Sequence, residues 1–167
     1  MKKNLFFLGL FLILNNCGGF EMVYKTNTNI FFGKNNTEII VEGDSASKLH
    51  TRLRDMIGDN KDNFPKYRIL VSSVKTETAD VIKKDATASK FNIKYSVKYD
   101  IYNLYKNCKL YGKEINTVSG YNVKSAGYSF GTQLSQKESA SQNIDKNINK
   151  FFSSLREITD INSCEKN

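Results

Sequence analysis

Residues 91–101 read FNIKYSVKYDI, and the alternation is strict. Phe91, Ile93, Tyr95, Val97, Tyr99 and Ile101 are apolar or aromatic, while Asn92, Lys94, Ser96, Lys98 and Asp100 fill the positions between them. Successive side chains of a strand point to opposite faces, so this pattern predicts a strand with one buried face and one wet face. Upstream, Tyr67, Ile69 and Val71 open a second run that continues unevenly to about Thr78, and Thr37 to Glu42 (TEIIVE) is a shorter, β-branched one. Between these two, Leu49, Leu53, Met56 and Ile57 recur at helical spacing. They predict an amphipathic helix over 45–57, capped by Asp44 or Ser45 and stopped by Gly58. Residues 59–65 are a polar loop holding the only proline, Pro65.

Downstream, 103–113 reads as a turn-like connection, and Glu114 to Val123 as a fourth strand with Ile115 and Tyr121 facing inward. Leu134, Ser141, Ile144, Ile148, Phe151, Phe152, Leu155 and Ile158 then fall at three- and four-residue steps, the mark of a long closing helix. The order is β-α-β-β-β-α. Each helix and each strand has one apolar face, and stacking the two helices on one face of a largely antiparallel four-stranded sheet buries them together. The expected fold class is therefore an α+β two-layer sandwich.

The first residues, MKKNLFFLGLFLILNNCGGF, say where the chain goes. Lys2 and Lys3 precede a ten-residue apolar run, Leu5 to Leu14, followed by Asn15, Asn16 and Cys17. This is the layout of an export signal, and the run is too short to span a bilayer as a helix. A cysteine directly after it is where a lipoprotein would be cut and acylated. The expected divisions are a signal peptide over 1–16, a lipidated tether over 17–36 and a folded domain over 37–167. A simple secreted protein or an uncleaved anchor are the alternatives.

The domain is long enough for one core, and a composition with 40% hydrophobic and 12% aromatic residues is globular. Without Lys2 and Lys3 the 25 basic residues fall to 23 against 17 acidic ones, a net charge of +6. In an exported protein such a charge suits phospholipid, lipopolysaccharide or an acidic protein surface better than nucleic acid. Lys90, Lys94 and Lys98 share one strand face and are the candidate lipid-binding residues; a solvated sheet face is the other reading.

Catalytic chemistry is poorly supported. Gly127-Tyr128-Ser129-Phe130-Gly131 spells G-x-S-x-G, but the single histidine, His50, lies upstream of the serine instead of downstream. His50 reads as a surface helix residue, and the glycines as turn residues. One histidine and no clustered cysteines offer no metal site, and no glycine-rich phosphate loop follows a strand. No enzyme activity and no cofactor are expected. Removing an acylated Cys17 leaves Cys108 and Cys164. In the antiparallel layout the connection after the third strand and the end of the last helix meet at the same end of the sheet, so the two could form a disulfide. Two free thiols remain the alternative.

Taken together, these features resemble one family, the LptE lipopolysaccharide-assembly lipoproteins of Gram-negative outer membranes. The likeness runs through Cys17-Gly18-Gly19-Phe20 with Tyr24 behind it, and the strand and helix ending near Ile57. It continues in Thr87-Ala88-Ser89-Lys90-Phe91 leading into the alternating strand, and in Tyr121-Asn122 with Tyr128 before the last helix. The extra Gly19, the asparagines before Cys17 and the two late cysteines depart from it. The resemblance implies a non-enzymatic, lipid-anchored protein on the periplasmic face of the outer membrane. It would plug and help assemble an LptD-type β-barrel and bind lipopolysaccharide. An auxiliary lipoprotein of an ABC-type lipid transporter, or an esterase built on Ser129, are the rival readings.

Overall fold

The computed structural model describes residues 36–58, 64–82, 88–123 and 129–158, together with Cys164. They form β1 (Thr37–Gly43), α1 (Ala46–Ile57), β2 (Tyr67–Ile82), β3 (Ala88–Asn103), β4 (Cys108–Asn122) and α2 (Ser129–Arg156). This is the predicted α+β order. The strands lie side by side in chain order. β1 runs parallel to β2, with Thr37 opposite Tyr67 and Gly43 opposite Ser73, and the β2–β3 and β3–β4 pairs are antiparallel.

The alternation of β3 is realised residue by residue. Ile93, Tyr95, Val97, Tyr99 and Ile101 are buried, as are Tyr67, Ile69 and Val71 of β2 and Ile115 and Tyr121 of β4. Onto this face α1 lays Leu49, Leu53 and Ile57, and α2 lays Ile144, Ile148, Phe151, Phe152 and Leu155. The Tyr99 and Phe151 rings stack with centroids 4.1 Å apart. Burial of each such side chain contributes about 1.5–3 kcal/mol, which makes this layer the main source of stability.

Several boundaries differ from the sequence expectation. β2 runs to Ile82 and β3 begins at Ala88, so the hairpin extends well past the end of β1. The connection after β3 is only the turn 104–107, because β4 starts at Cys108. Its first residues hide from a period-two reading because of a bulge: Ile101 pairs with Tyr111 but Tyr102 with Lys109. Leu110 is the extra residue and is buried, while Tyr111 tilts against Phe151. Leu134 and Met56, expected inside, are about half exposed because they lie off the contact stripes of their helices.

The start of α1 is also built differently. Ser45 precedes the helix with φ 58° and makes no side-chain capping bond. Its hydroxyl instead hydrogen-bonds the Tyr95 hydroxyl at 2.7 Å, and Asp44 Oδ2 accepts the Lys75 amide at 2.7 Å. Gly43 makes this turn possible. It has φ 92°, and a Cβ there would sit 2.1 Å from the Ser73 carbonyl oxygen. The reversal from β1 into α1 is thus fastened to β2 and β3.

These connections give the domain two ends. One gathers Asn36, the start of β2, the 104–107 turn and the last turn of α2: the Lys66 and Tyr67 amides donate to the Asn36 carbonyl, and the Leu104 amide to that of Lys66. This is the end at which the chain enters the fold, named the tether end for the tether expected over 17–36. The far end carries Ile82, Asn122 and the start of α2. A 16-residue strand at roughly 3.3 Å per residue makes the sheet about 50 Å long.

Candidate functional site

The sheet face opposite the helices carries Lys90, Lys94 and Lys98, all brought there by the even-numbered register of β3. They are four residues and about 13 Å apart, too far to converge on one phosphate. Two of them have carboxylate partners on the same face. Lys90 Nζ lies 2.7 Å from Asp80 Oδ2, and Lys98 Nζ lies 3.3 Å from Asp100 Oδ2, whose other oxygen is 3.0 Å from Lys109 Nζ. The hydrogen bond from Lys90 holds the Asp80 carboxyl below its ordinary range.

Lys94 is exposed. The nearby carboxylate is Glu114, held low by hydrogen bonds from Ser96 and Asn116, with Lys94 and Lys98 adding a smaller electrostatic pull. At the β1 edge Arg68 Nε meets Glu38 Oε2 at 2.7 Å. The face is therefore a mixed-charge surface with Val74 and Val118 exposed among the ions. The alternation gave the common direction of the lysines. Two of the carboxylates near them are not legible in the same way, since Asp80 and Glu114 come from neighbouring strands whose register the sequence leaves open.

A second polar group lies on the inner face beyond the reach of α1. Glu77 accepts hydrogen bonds from the Tyr121 hydroxyl and from Gln136 Nε2, at 3.0 and 2.9 Å to its two oxygens, and pairs with Lys75 Nζ at 3.2 Å. Partial burial pushes the Glu77 carboxyl up, but the bonds from Tyr121, Gln136 and Lys75 outweigh it and hold it low. Burial, reinforced by the neighbouring carboxylate, pushes the Tyr121 phenol up to about 12. The cluster joins β2, β4 and α2. No sequence motif announces it, because its members lie up to 59 residues apart.

Deeper between α2 and the sheet, Asn147 Nδ2 donates to the Ile115 carbonyl at 2.8 Å and to Thr117 Oγ1 at 3.0 Å, and Asn143 Nδ2 donates to the Ile93 carbonyl at 2.7 Å. Both asparagines are buried. A shallow groove of about 500 Å³ between the helices is lined by Ser45, Ser47, Lys48, Thr51, Arg52 and Ser141, and Arg52 pairs with Asp145 at 3.1 Å.

Cys108 and Cys164 are joined by a disulfide, with Cα atoms 5.8 Å apart, at the tether end. Cys17 lies outside the described residues, as do Gly127 and Tyr128 of the G-x-S-x-G stretch. Ser129 opens α2. His50 is half-buried on α1. Among the described residues no group of three His, Cys, Asp or Glu side chains could hold a metal, and no helix is long and apolar enough to cross a membrane.

No family model and no curated protein sequence matches this chain. Solved structures do. A protein of Caulobacter crescentus CB15 described as a candidate lipoprotein superposes with a TM-score of 0.57 at 16% identity, over 72% of this chain and 87% of that one. Rare lipoprotein B from Shewanella oneidensis gives 0.51 at 13% identity, over 74% and 98%. The minor lipoprotein of Acinetobacter baumannii gives 0.52 at 15% identity, over 74% and 93%. The likeness is one of fold: this chain shares the α+β architecture found in these bacterial lipoproteins.

Proposed function

We propose that this chain is a non-enzymatic, lipid-anchored protein of the outer membrane that plugs and helps assemble an LptD-type β-barrel and binds lipopolysaccharide during its delivery. The observation that carries the reading is the fold shared with rare lipoprotein B over almost the whole of that chain. It agrees with the sequence resemblance to LptE lipoproteins and with the export signal ending at Cys17. The surface suits the role. Interiors of large barrels are polar, and a sheet face rich in ion pairs, Arg68 with Glu38, Lys90 with Asp80 and Lys98 with Asp100, can rest against such a wall with most of its charge matched. Lipid phosphate would be met by Lys90, Lys94 and Lys98, with Lys94 the readiest because the other two already hold carboxylates.

Affinity purification of the native protein from detergent-solubilised outer membranes tests this directly. A large β-barrel should co-purify, and depletion should reduce both correctly assembled barrel and surface lipopolysaccharide. Normal barrel assembly on depletion, with no barrel recovered alongside the protein, would reject the role.

A further inference from the structure

The tether end of the domain exposes two aromatic rings. Phe64 is 80% exposed and Tyr105 is 70% exposed, the first immediately before the start of β2 and the second in the 104–107 turn. The two segments are held together, since the Leu104 amide donates to the Lys66 carbonyl at 2.9 Å. Tyr105 is held firmly out. Buried Asn103 accepts the amides of both Tyr105 and Lys106 on its Oδ1 at 3.0 Å each, and Asn107 closes the turn with φ 49°. Lys66 and Lys106 flank the two aromatics in sequence; the half-buried Lys66 holds its Nζ over the Tyr67 ring, 5.2 Å from the centroid, and Lys106 is exposed. Exposed aromatic rings with cations beside them match the interfacial layer of an anionic bilayer, where the rings enter the headgroup region and the cations meet phosphate.

The direction of the chain singles out this end. Asn36 enters the fold here, fixed by the Lys66 and Tyr67 amides, and Cys17 lies upstream of it. The stretch from Cys17 to Asn36 spans at most roughly 65 Å, comparable to the length of the domain, so an anchor by itself would not fix which way the domain faces. It would hold the domain at high effective concentration near the bilayer, where even a weak contact face orients it.

We propose that Phe64 and Tyr105, with Lys66 and Lys106, form a membrane-contact face that seats the tether end on the anionic phospholipid leaflet holding the anchor, and so points the far end away from that leaflet. This rests on the reading of Cys17 as the acylated residue. It gives the domain an orientation and presents the far-end residues Ile82 and Phe130, also exposed, toward a partner.

The chain has no tryptophan, so single substitutions provide a clean reporter. Phe64→Trp, Tyr105→Trp and, as reference, Phe130→Trp are introduced singly into the full acylated protein. Each is reconstituted into phosphatidylethanolamine–phosphatidylglycerol vesicles with brominated acyl chains. Circular dichroism melts establish that each variant is folded. The expected result is co-flotation of all three, with blue-shifted and quenched emission at positions 64 and 105 but not at 130. Flotation reports the anchor and quenching reports the face. Protein that floats while positions 64 and 105 are quenched no more than 130 overturns the face and leaves the anchor standing. Protein that fails to float rejects the anchor and, with it, this orientation. If positions 64 and 105 stay unquenched and Phe64→Ser with Tyr105→Ser abolishes barrel co-purification, the face belongs to a protein partner and the proposal is wrong.

Discussion

The Tyr99 hydroxyl donates a 2.8 Å hydrogen bond to Oδ1 of Asn147 where neither residue is accessible to water. The bond ties the centre of β3 to the middle of α2. Asn147 spends its amide protons on the Ile115 carbonyl and Thr117 Oγ1, so the side chain is fully engaged and admits one axial position of the helix. Burial pushes the Tyr99 phenol up, which keeps it a donor at any physiological pH. Polar groups in such a site specify register; the surrounding aromatic and aliphatic packing supplies most of the energy.

Asn147→Ala should therefore destabilise the domain by about 2–4 kcal/mol, since it strands the Tyr99 hydroxyl and opens a small cavity. Tyr99→Phe should cost less, about 1–2 kcal/mol. Urea unfolding of both variants and of the double variant measures this. Coupling between the sites is expected, so strictly additive losses would contradict a direct bond.

The Cys108–Cys164 bridge closes a loop with a sequence separation of 56, so its removal should destabilise the domain by about 4 kcal/mol on the chain-entropy argument. Denaturation with and without reductant reads this, and peptide mapping of unreduced protein should recover a linked peptide containing both cysteines. Two alkylatable thiols would contradict the bridge.

The Glu77 cluster predicts two pH limits. Its carboxyl is held below the ordinary value, so it contributes stability above the unfolded pKa, and this is lost as pH falls through the depressed folded value. Glu77→Gln should flatten that acid limb of the stability curve. Tyr121 is raised to about 12, so its contribution is complete below the ordinary tyrosine value of 10.0 and is lost as pH rises toward 12. Tyr121→Phe should remove that alkaline loss. Absorbance titration of the phenols, with thermal melts across pH, checks both.

On the outer sheet face the lysines should not be equivalent. Lys94→Gln is expected to weaken binding to lipopolysaccharide vesicles by about 1 kcal/mol at low salt, and the effect should shrink as salt rises. Lys90→Gln and Lys98→Gln should each cost less, because Asp80 and Asp100 already neutralise them in part. Equal losses at all three positions would mean the ion pairs open on binding.

Cys17→Ala should release the protein from membranes or leave its precursor uncleaved, because the basic–apolar–Cys layout makes Cys17 the residue cut and acylated and the apolar run cannot span the bilayer alone. Palmitate labelling and membrane fractionation decide it. Unchanged attachment with normal processing would exclude acylation.

The sequence determined the fold class because its two periods are strong and long. Six odd-numbered apolar residues from Phe91 to Ile101 fix which face of β3 is buried, and a one-residue slip would turn every one of them to water. The three- and four-residue steps from Ile144 to Leu155 fix the buried stripe of α2 in the same way. Chain order with short connections then left few ways to stack two helices on one sheet, and placed Cys108 and Cys164 at the same end. What only the tertiary structure decided depends on register between segments distant in sequence. The bulge at Leu110, the turn through Gly43 and Ser45 onto Tyr95, Asp80 facing Lys90, Lys109 sharing Asp100 with Lys98, and the Glu77–Tyr121–Gln136 cluster all arise where strands and helices meet. Local periodicity records which way a side chain points. It does not record what stands opposite, because that is set by the alignment of one element against another, and packing of the whole core selects it.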